Sequence, residues 1–160
     1  MSSSRPAAGN PTTTVEWLTR YIRTRVRSTS EAREYLRRRG ASASAIRRAV
    51  AECQVRGLLD DPACARLWAA HWARSGYAWA AIFLKLREKG LGDAAIDAAA
   101  ERVGRTAEDD AERARAVLAQ RLRRRQGAAP SRPGLARILA SRGFDPDTIE
   151  QLLSERINDQ

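Results

Sequence analysis

Apolar residues recur along the chain at the three- and four-residue spacing of an α-helix. The first stripe consists of Val15, Leu18, Ile22 and Val26. Residues at this spacing lie on one helical face, so the pattern predicts a helix that buries this side. Further stripes of the same kind follow. The chain is therefore predicted to be a series of amphipathic helices.

One short segment occurs three times, and each copy ends in glycine. The glycines are Gly40, Gly90 and Gly143, which lie 50 and 53 positions apart. Each copy has an apolar residue, a leucine, a cation and an isoleucine at matching distances from its glycine. Agreement at four registered positions in three copies indicates an internal repeat. The residues that agree are Ala32, Ile82 and Leu135; Leu36, Leu86 and Leu139; Arg39, Lys89 and Arg142; Ile46, Ile96 and Ile149.

The sequence around each glycine is that of a helix end followed by a new helix. Glycine accepts the left-handed conformation that ends many helices, and a cation before it suits the negative end of the helix dipole. Ser42 and Asp145 then fit as N-caps of the next helices, the latter with Pro146 in the first turn. Ser28 and Glu31 have the spacing of a capping box for the first of the repeated helices.

Each repeated segment is preceded by another predicted helix, so the chain divides into three units of three helices. Their ranges are 14–57, 58–104 and 105–160, after a Ser/Thr/Pro-rich tail at 1–13 that we expect to be disordered. Asp61-Pro62 is predicted to open the second unit as cap and first helical residue. We therefore predict an all-α fold, an elongated curved array of three tandem repeats in which each unit packs on the next.

Composition narrows the classes of function. The 160 residues carry a net charge of +10, and aromatic residues make up 6%, which disfavours strands. The positive charge is concentrated in the first third of the chain, which favours a polyanion or an acidic protein surface as partner. No apolar run has the length of a membrane span, and the N-terminus lacks the apolar core of a secretory signal. With two cysteines, a reducing cytoplasm is the expected compartment.

No set of residues predicts catalysis. Neither a phosphate loop nor a dinucleotide-binding glycine motif occurs. Cys53 and Cys64 have no histidine at metal-ligand spacing, and burial as small apolar residues fits Cys53 better. His71, the single histidine, is predicted to be a partly buried packing residue, because no nucleophile pattern supports a general base. Asp60 and Asp61 fit helix capping better than metal binding. We expect no enzyme activity, no metal and no cofactor.

Two groups of residues remain as candidates for binding. Trp68, Trp72 and Trp79 carry rings that stack on nucleobases in other proteins, but in an alanine-rich chain they are predicted to fill the core. The basic runs are the stronger candidates, because cations recur at matching distances from Gly40 and Gly90 and stacked repeats would align them in one stripe. The candidate set is Arg37, Arg38, Arg39, Arg47, Arg48, Lys85, Arg87, Lys89, Arg123, Arg124 and Arg125.

The order and spacing of these segments resemble the RecX family of recombinase regulators. The resemblance runs from residues 28–40 through the Gly-Leu-Leu-Asp-Asp junction at 57–61 to residues 84–90. It is repeated at 139–144 and covers about residues 14–157. The chain departs from the family pattern at Cys64, where an aromatic residue is usual, and by having arginines where lysines are expected.

The resemblance implies a regulatory protein of the bacterial cytoplasm that acts in recombination, DNA repair and the SOS response. Such a protein binds RecA, lies along the groove of the RecA–DNA filament and inhibits its ATPase, filament growth and strand exchange. We expect a monomer without a membrane partner, and direct binding of single- or double-stranded DNA stays open. The alternative is a helix-turn-helix protein that acts on DNA directly, because three-helix units with short turns also describe that class. Against it, the predicted third helices are rich in alanine.

Overall fold

The computed structural model describes residues 11–123 and 131–158, and within them the chain forms helices without any strand. The all-α prediction is therefore confirmed. The helices are α1 (Pro11–Arg23), α2 (Thr29–Arg38), α3 (Ala43–Val55), α4 (Asp61–Arg74), α5 (Trp79–Glu88), α6 (Asp93–Val103), α7 (Ala107–Arg123), α8 (Arg132–Ala140) and α9 (Pro146–Asn158).

The buried apolar residues form three clusters that follow one another along the chain. The first is built from α1, α2 and α3 around Leu18 and Leu36, which are fully buried. The second is built mainly from α4, α5 and α6 around Ile82 and Leu86, and the third mainly from α7, α8 and α9 around Leu139. Three small cores in succession agree with three units of three helices each. That the units are copies of one repeat, and that the array is curved, stay predictions.

The predicted helix ends and starts are present. Gly40, Gly90 and Gly143 follow α2, α5 and α8 with φ of 78°, 70° and 85°, the left-handed region that side chains disfavour. The capping box at the start of α2 is complete: Ser28 Oγ accepts from the backbone N–H of Glu31, whose carboxylate accepts from the N–H of Ser28. A cap of this kind stabilises a helix by about 1 kcal/mol.

The helices form three helix groups, α1–α3, α4–α6 and α7–α9. Consecutive helix groups meet through the ends of α2, α5 and α8. Ser28 Oγ, at the start of α2, donates to the carbonyl of Lys89 at the end of α5, over 2.5 Å. In the same way the N–H of Ala78, before α5, donates to the carbonyl of Arg142 after α8, over 3.0 Å. The C-terminal ends of α5 and α8 therefore contact the N-terminal ends of α2 and α5, respectively.

A carboxylate from the next group also caps each of these helix starts. Asp61 of α4 accepts from the N–H of Thr29, the first residue of α2, over 2.7 Å. Asp110 of α7 accepts from the N–H of Trp79, the first residue of α5, over 2.9 Å. The first four N–H groups of a helix have no partner within the helix, so these long-range bonds tie neighbouring groups together where unpaired donors are available.

Several predicted boundaries are corrected. The tail was predicted to extend to residue 13, but α1 begins at Pro11, a residue that suits a first helical turn. The helix ends at Arg23, so Val26 lies in the connection after α1 and is 42% exposed. The N-cap of α4 is Asp60, which accepts from the N–H of Ala63, and Asp61 is the first helical residue. The predicted tail up to residue 10 lies outside the described residues.

Candidate functional site

The predicted basic stripe begins at the C-terminal end of α2, where Arg37 and Arg38 are both exposed. Each forms an ion pair with Glu34, and the distance from Arg38 Nε to Glu34 Oε1 is 2.8 Å. The hydrogen bond from Arg38, together with the charges of the two guanidinium groups, holds the pKa of Glu34 below its usual range. One carboxylate thus pairs with two cations, so this end of α2 keeps a net positive charge.

The neighbouring Arg39 belongs to a row of stacked rings and guanidinium groups. Its guanidinium carbon lies 5.1 Å from the ring centre of Trp17 and 5.2 Å from that of Tyr35. Tyr35 stacks on Tyr21 with ring centres 4.0 Å apart, and Arg27 covers Tyr21 at 4.3 Å. Cation–π contacts restrict a guanidinium group without neutralising its charge. The sequence pattern does not predict this row, because its members come from α1, from α2 and its C-cap, and from the connection between the two helices.

Two more predicted cations lie on α3. Arg47 and Arg48 are both exposed, and neither forms an ion pair with a described residue. An exposed, unpaired arginine can offer its planar fork to a carboxylate or phosphate of a partner. This pair is thus accessible to a partner without the loss of an ion pair to a described residue.

On α5 the predicted cations differ in their surroundings. Lys85 is half-buried between aromatic rings, with Nζ 4.9 Å from the ring centre of Tyr77 and 5.7 Å from that of Trp72. Arg87 is exposed, covers Phe83 at 5.3 Å and forms an ion pair with Asp93. Arg87 occupies the position that corresponds to Arg37, and both are accessible to a partner.

The surroundings of Lys89 differ from those that its position in the repeated segment predicts. Its ammonium group lies 2.9 Å from Glu31 and 4.4 Å from the ring centre of Trp68, and its side chain is 13% exposed. It thus joins the end of α5 to the start of α2, whereas Arg39, at the matching position, is exposed. Burial acts to raise the pKa of Glu31, but hydrogen bonds from Ser28 and Lys89 and the nearby cations outweigh it and lower this pKa.

The last predicted cluster lies at the end of α7. Arg123 is exposed and is the final residue of that helix, while Arg124 and Arg125 lie outside the described residues. Some exposed cations stand singly in the sequence and therefore lie outside the predicted basic runs. Arg20 and Arg33 are exposed on α1 and α2, without an ion pair to a described residue. Arg33 is one helical turn from Arg37, and this four-residue spacing is the signal that would have found it.

The tryptophans pack mainly as core residues. Trp68 and Trp72 stack with ring centres 5.3 Å apart, and both are partly buried against the second cluster together with Trp79. This part of the prediction is confirmed. His71 is exposed, which corrects the prediction of partial burial, and the centre of its ring lies 5.8 Å from that of Trp68 in a T-shaped pair. The prediction was wrong because His71 lies beside the buried face of α4 and not on it.

Other chemistry is limited in the described part of the chain. No three His, Cys, Asp or Glu side chains among those described come together in a way that would hold a metal ion. Cys53 and Cys64 are buried free thiols, and burial raises the pKa of both, that of Cys64 to about 11. Asp60 and Asp61 serve as helix caps. None of the described helices combines the length and the apolar character needed to cross a membrane.

No family model matches the sequence of this chain. Its fold, in contrast, matches solved structures over nearly the whole length. The crystal structure of RecX from Lactobacillus salivarius superimposes with a TM-score of 0.71 at 18% identity, over 91% of this chain and 95% of that one. The structure of a regulatory protein RecX gives a TM-score of 0.69 at 21% identity, over 88% of this chain and 71% of that one. The chain therefore has a RecX-like fold, as the sequence resemblance implied.

Proposed function

We propose that this protein is a regulator of the bacterial cytoplasm that binds the RecA–DNA filament and inhibits RecA ATPase, filament growth and strand exchange. The observation that carries the proposal is the match of nearly the whole chain to two RecX structures. The sequence resemblance, which includes the 57–61 junction, points to the same family independently of the fold comparison. In this role the chain binds as a monomer and catalyses no reaction of its own.

The distribution of charge fits this role. Exposed arginines occur on α2, α3, α5 and at the end of α7, which belong to three successive helix groups. A protein with contact residues on successive helix groups can touch several protomers of a helical filament at once. Linked contacts of this kind raise the total affinity without one tight site. Positive charge also speeds encounter with an anionic filament, so binding should weaken as salt rises.

The proposed contact residues follow from the predicted set and from their exposure. They are the accessible cations on the surface, with Lys85 as a half-buried member between rings. Lys89 is assigned a structural role, because Glu31 and Trp68 enclose it. The proposed set is Arg37, Arg38, Arg39, Arg47, Arg48, Lys85, Arg87 and Arg123, together with Arg124 and Arg125 from the sequence prediction.

A charge-reversal experiment tests the set. The variant Arg37→Glu, Arg39→Glu, Arg87→Glu should bind RecA filaments on single-stranded DNA at least about tenfold more weakly in a sedimentation assay. The control reverses three exposed arginines outside the set, Arg105, Arg115 and Arg132, each of which forms an ion pair with a carboxylate, as Arg37 and Arg87 do. Both variants change the net charge equally. Equal binding by the two variants would exclude the stripe as the contact surface.

A direct DNA-binding role is the second candidate, and the unpaired neighbours Arg47 and Arg48 on α3 are the observation that favours it. In that role α3 would enter a groove of duplex DNA. Titration of the protein onto naked duplexes of varied sequence, at several salt concentrations, separates the two candidates. Binding to one preferred sequence that persists at physiological salt, and that is lost in the Arg47→Ala, Arg48→Ala double variant, would support direct DNA recognition. Weak binding without sequence preference would favour the filament regulator.

A further inference from the structure

A groove of about 400 Å³ lies between the α1–α2 connection and the region where α3 passes into α4. The end of α1 and the connection contribute residues 22–27 to one side. Leu58, Ala63 and Leu67 form the other side. None of its lining residues belongs to the candidate set discussed above.

The groove gathers apolar side chains that the fold leaves uncovered. Val26, Leu58 and Leu67 are 42%, 36% and 57% exposed. In the described part of the chain only two other large apolar side chains are this exposed, so the groove holds most of them. Single exposed apolar residues are common, but a cluster bordered by charged residues is typical of a site that another molecule covers.

Three arginines border the same groove. Arg25 lies over the ring of Trp68, with its guanidinium carbon 5.1 Å from the ring centre, and Arg27 is held against Tyr21 at 4.3 Å. Arg23 is exposed and has no ion pair with a described residue. The lining contains a single carboxylate, Asp60, which already accepts the N–H of Ala63 as a helix cap. The groove therefore has a net positive rim around an apolar floor.

The chemistry of the lining selects the kind of partner. Bases of single-stranded nucleic acid bind by stacking on aromatic rings, and no aromatic residue lines this groove. Aliphatic side chains fit an apolar side chain of a protein, and guanidinium forks fit carboxylates. We propose that the groove binds an acidic segment of a partner protein, with an apolar side chain between Leu58 and Leu67 and carboxylates on Arg23 and Arg25. The inference rests on the proposed function, since it takes the partner to be the RecA filament.

Substitutions in the groove test this inference separately from the stripe. Leu67→Glu should weaken binding to RecA filaments by about tenfold or more, because it removes the apolar contact and repels carboxylates. Arg23→Glu, Arg25→Glu should have a similar effect. The matched control is Val55→Glu, since Val55 is 89% exposed and lies outside the groove. Helicity and melting temperature show that each variant is folded. Groove variants that bind like the control, while the wild type binds, would overturn the inference and leave the proposed function standing.

Photo-crosslinking identifies the occupant. A benzophenone maleimide is attached to Leu67→Cys, or to Val55→Cys as control, and both native thiols are buried and thus protected. After irradiation with filaments, we expect the probe at position 67 to join a RecA peptide rich in Asp and Glu, several-fold more than the control. Crosslinks to DNA, or to a second copy of this chain, would overturn the inference. A wild-type protein that fails to bind filaments would overturn the proposed function and this inference with it.

Discussion

Any side chain at Gly90 should destabilise the junction between the first two helix groups. Its φ is +70°, and a Cβ at this position would overlap both Oγ and Cβ of Ser30 at the start of α2. Gly57 has nearly the same φ, +67°, but an added Cβ would meet no atom within 4 Å. The two glycines therefore impose the same backbone strain on a substituted alanine and differ only in the space around it.

The expected costs follow from this difference. An alanine in the left-handed region costs about 1–2 kcal/mol, partly offset by about 0.4–1 kcal/mol from the stiffer unfolded chain. Gly57→Ala should therefore destabilise the protein by about 1 kcal/mol. Gly90→Ala should cost a further 1–3 kcal/mol or so for overpacking, because Ser30 Cβ is fixed to the backbone and no rotamer change moves it. Relief requires α5 to withdraw from α2, which lengthens the bond from Ser28 to the Lys89 carbonyl.

Thermal and urea unfolding of the two variants measure these costs. For a chain of this size about 1 kcal/mol corresponds to 2–4 °C in melting temperature, so Gly90→Ala should melt several degrees below Gly57→Ala. Placing Gly90→Ala in a Ser30→Gly background removes the overlapping atoms and should recover most of the difference. Equal melting temperatures for Gly90→Ala and Gly57→Ala would refute the close packing of α5 on α2.

Three further predictions concern single groups. Burial raises the pKa of Cys64 to about 11, so the native protein should react with a disulfide reagent at pH 8 about 100-fold or more slowly than the unfolded chain, and fast native reaction would contradict this. The pKa of Glu31 is lowered from its ordinary 4.5, so its stabilising effect is present above that pH and is lost as pH falls through the folded-state value. Glu31→Gln should thus lower the melting temperature at pH 7 and converge with the wild type in acid; a difference that persists unchanged at pH 3 would count against the Glu31 pairing. Asp110→Ala removes the acceptor for the Trp79 N–H and leaves Arg113, 11% exposed, without its carboxylate, so it should cost about 2–3 kcal/mol in urea unfolding. Asp110→Asn, which keeps an acceptor, should cost less, and equal costs would argue against the cap.

Local signals in the sequence predicted much of the fold. The capping box of Ser28 and Glu31, the cap at Ser42 and the glycines after α2, α5 and α8 depend on neighbours within one turn of helix, so spacing alone reveals them. The end of α1 was less predictable, because Val26 continues the apolar stripe although the helix ends at Arg23. The spacing of apolar residues indicates which helical face each would occupy, but it does not indicate at which residue the helix ends.

The candidate site was harder to predict, because exposure depends on what packs against each helix end. Arg39 and Lys89 share one register, yet Arg39 is exposed while Lys89 contacts Glu31 and Trp68. The difference arises from tertiary contacts, since the start of α2 and the ring of Trp68 pack against Lys89. The cap that Asp61 provides to α2 joins residues 32 positions apart, and no pattern within one helix predicts it.

The most direct test of the central claim is ATP hydrolysis by RecA on single-stranded DNA, with this protein titrated in at fixed moderate salt. RecA from the same source is used, and circular dichroism confirms that the added protein is helical. We predict that hydrolysis falls with added protein, and that the Arg37→Glu, Arg39→Glu, Arg87→Glu variant inhibits far less than the Arg105, Arg115 and Arg132 control. Hydrolysis that stays unchanged up to equal amounts of folded protein and RecA would contradict the proposed regulation of RecA.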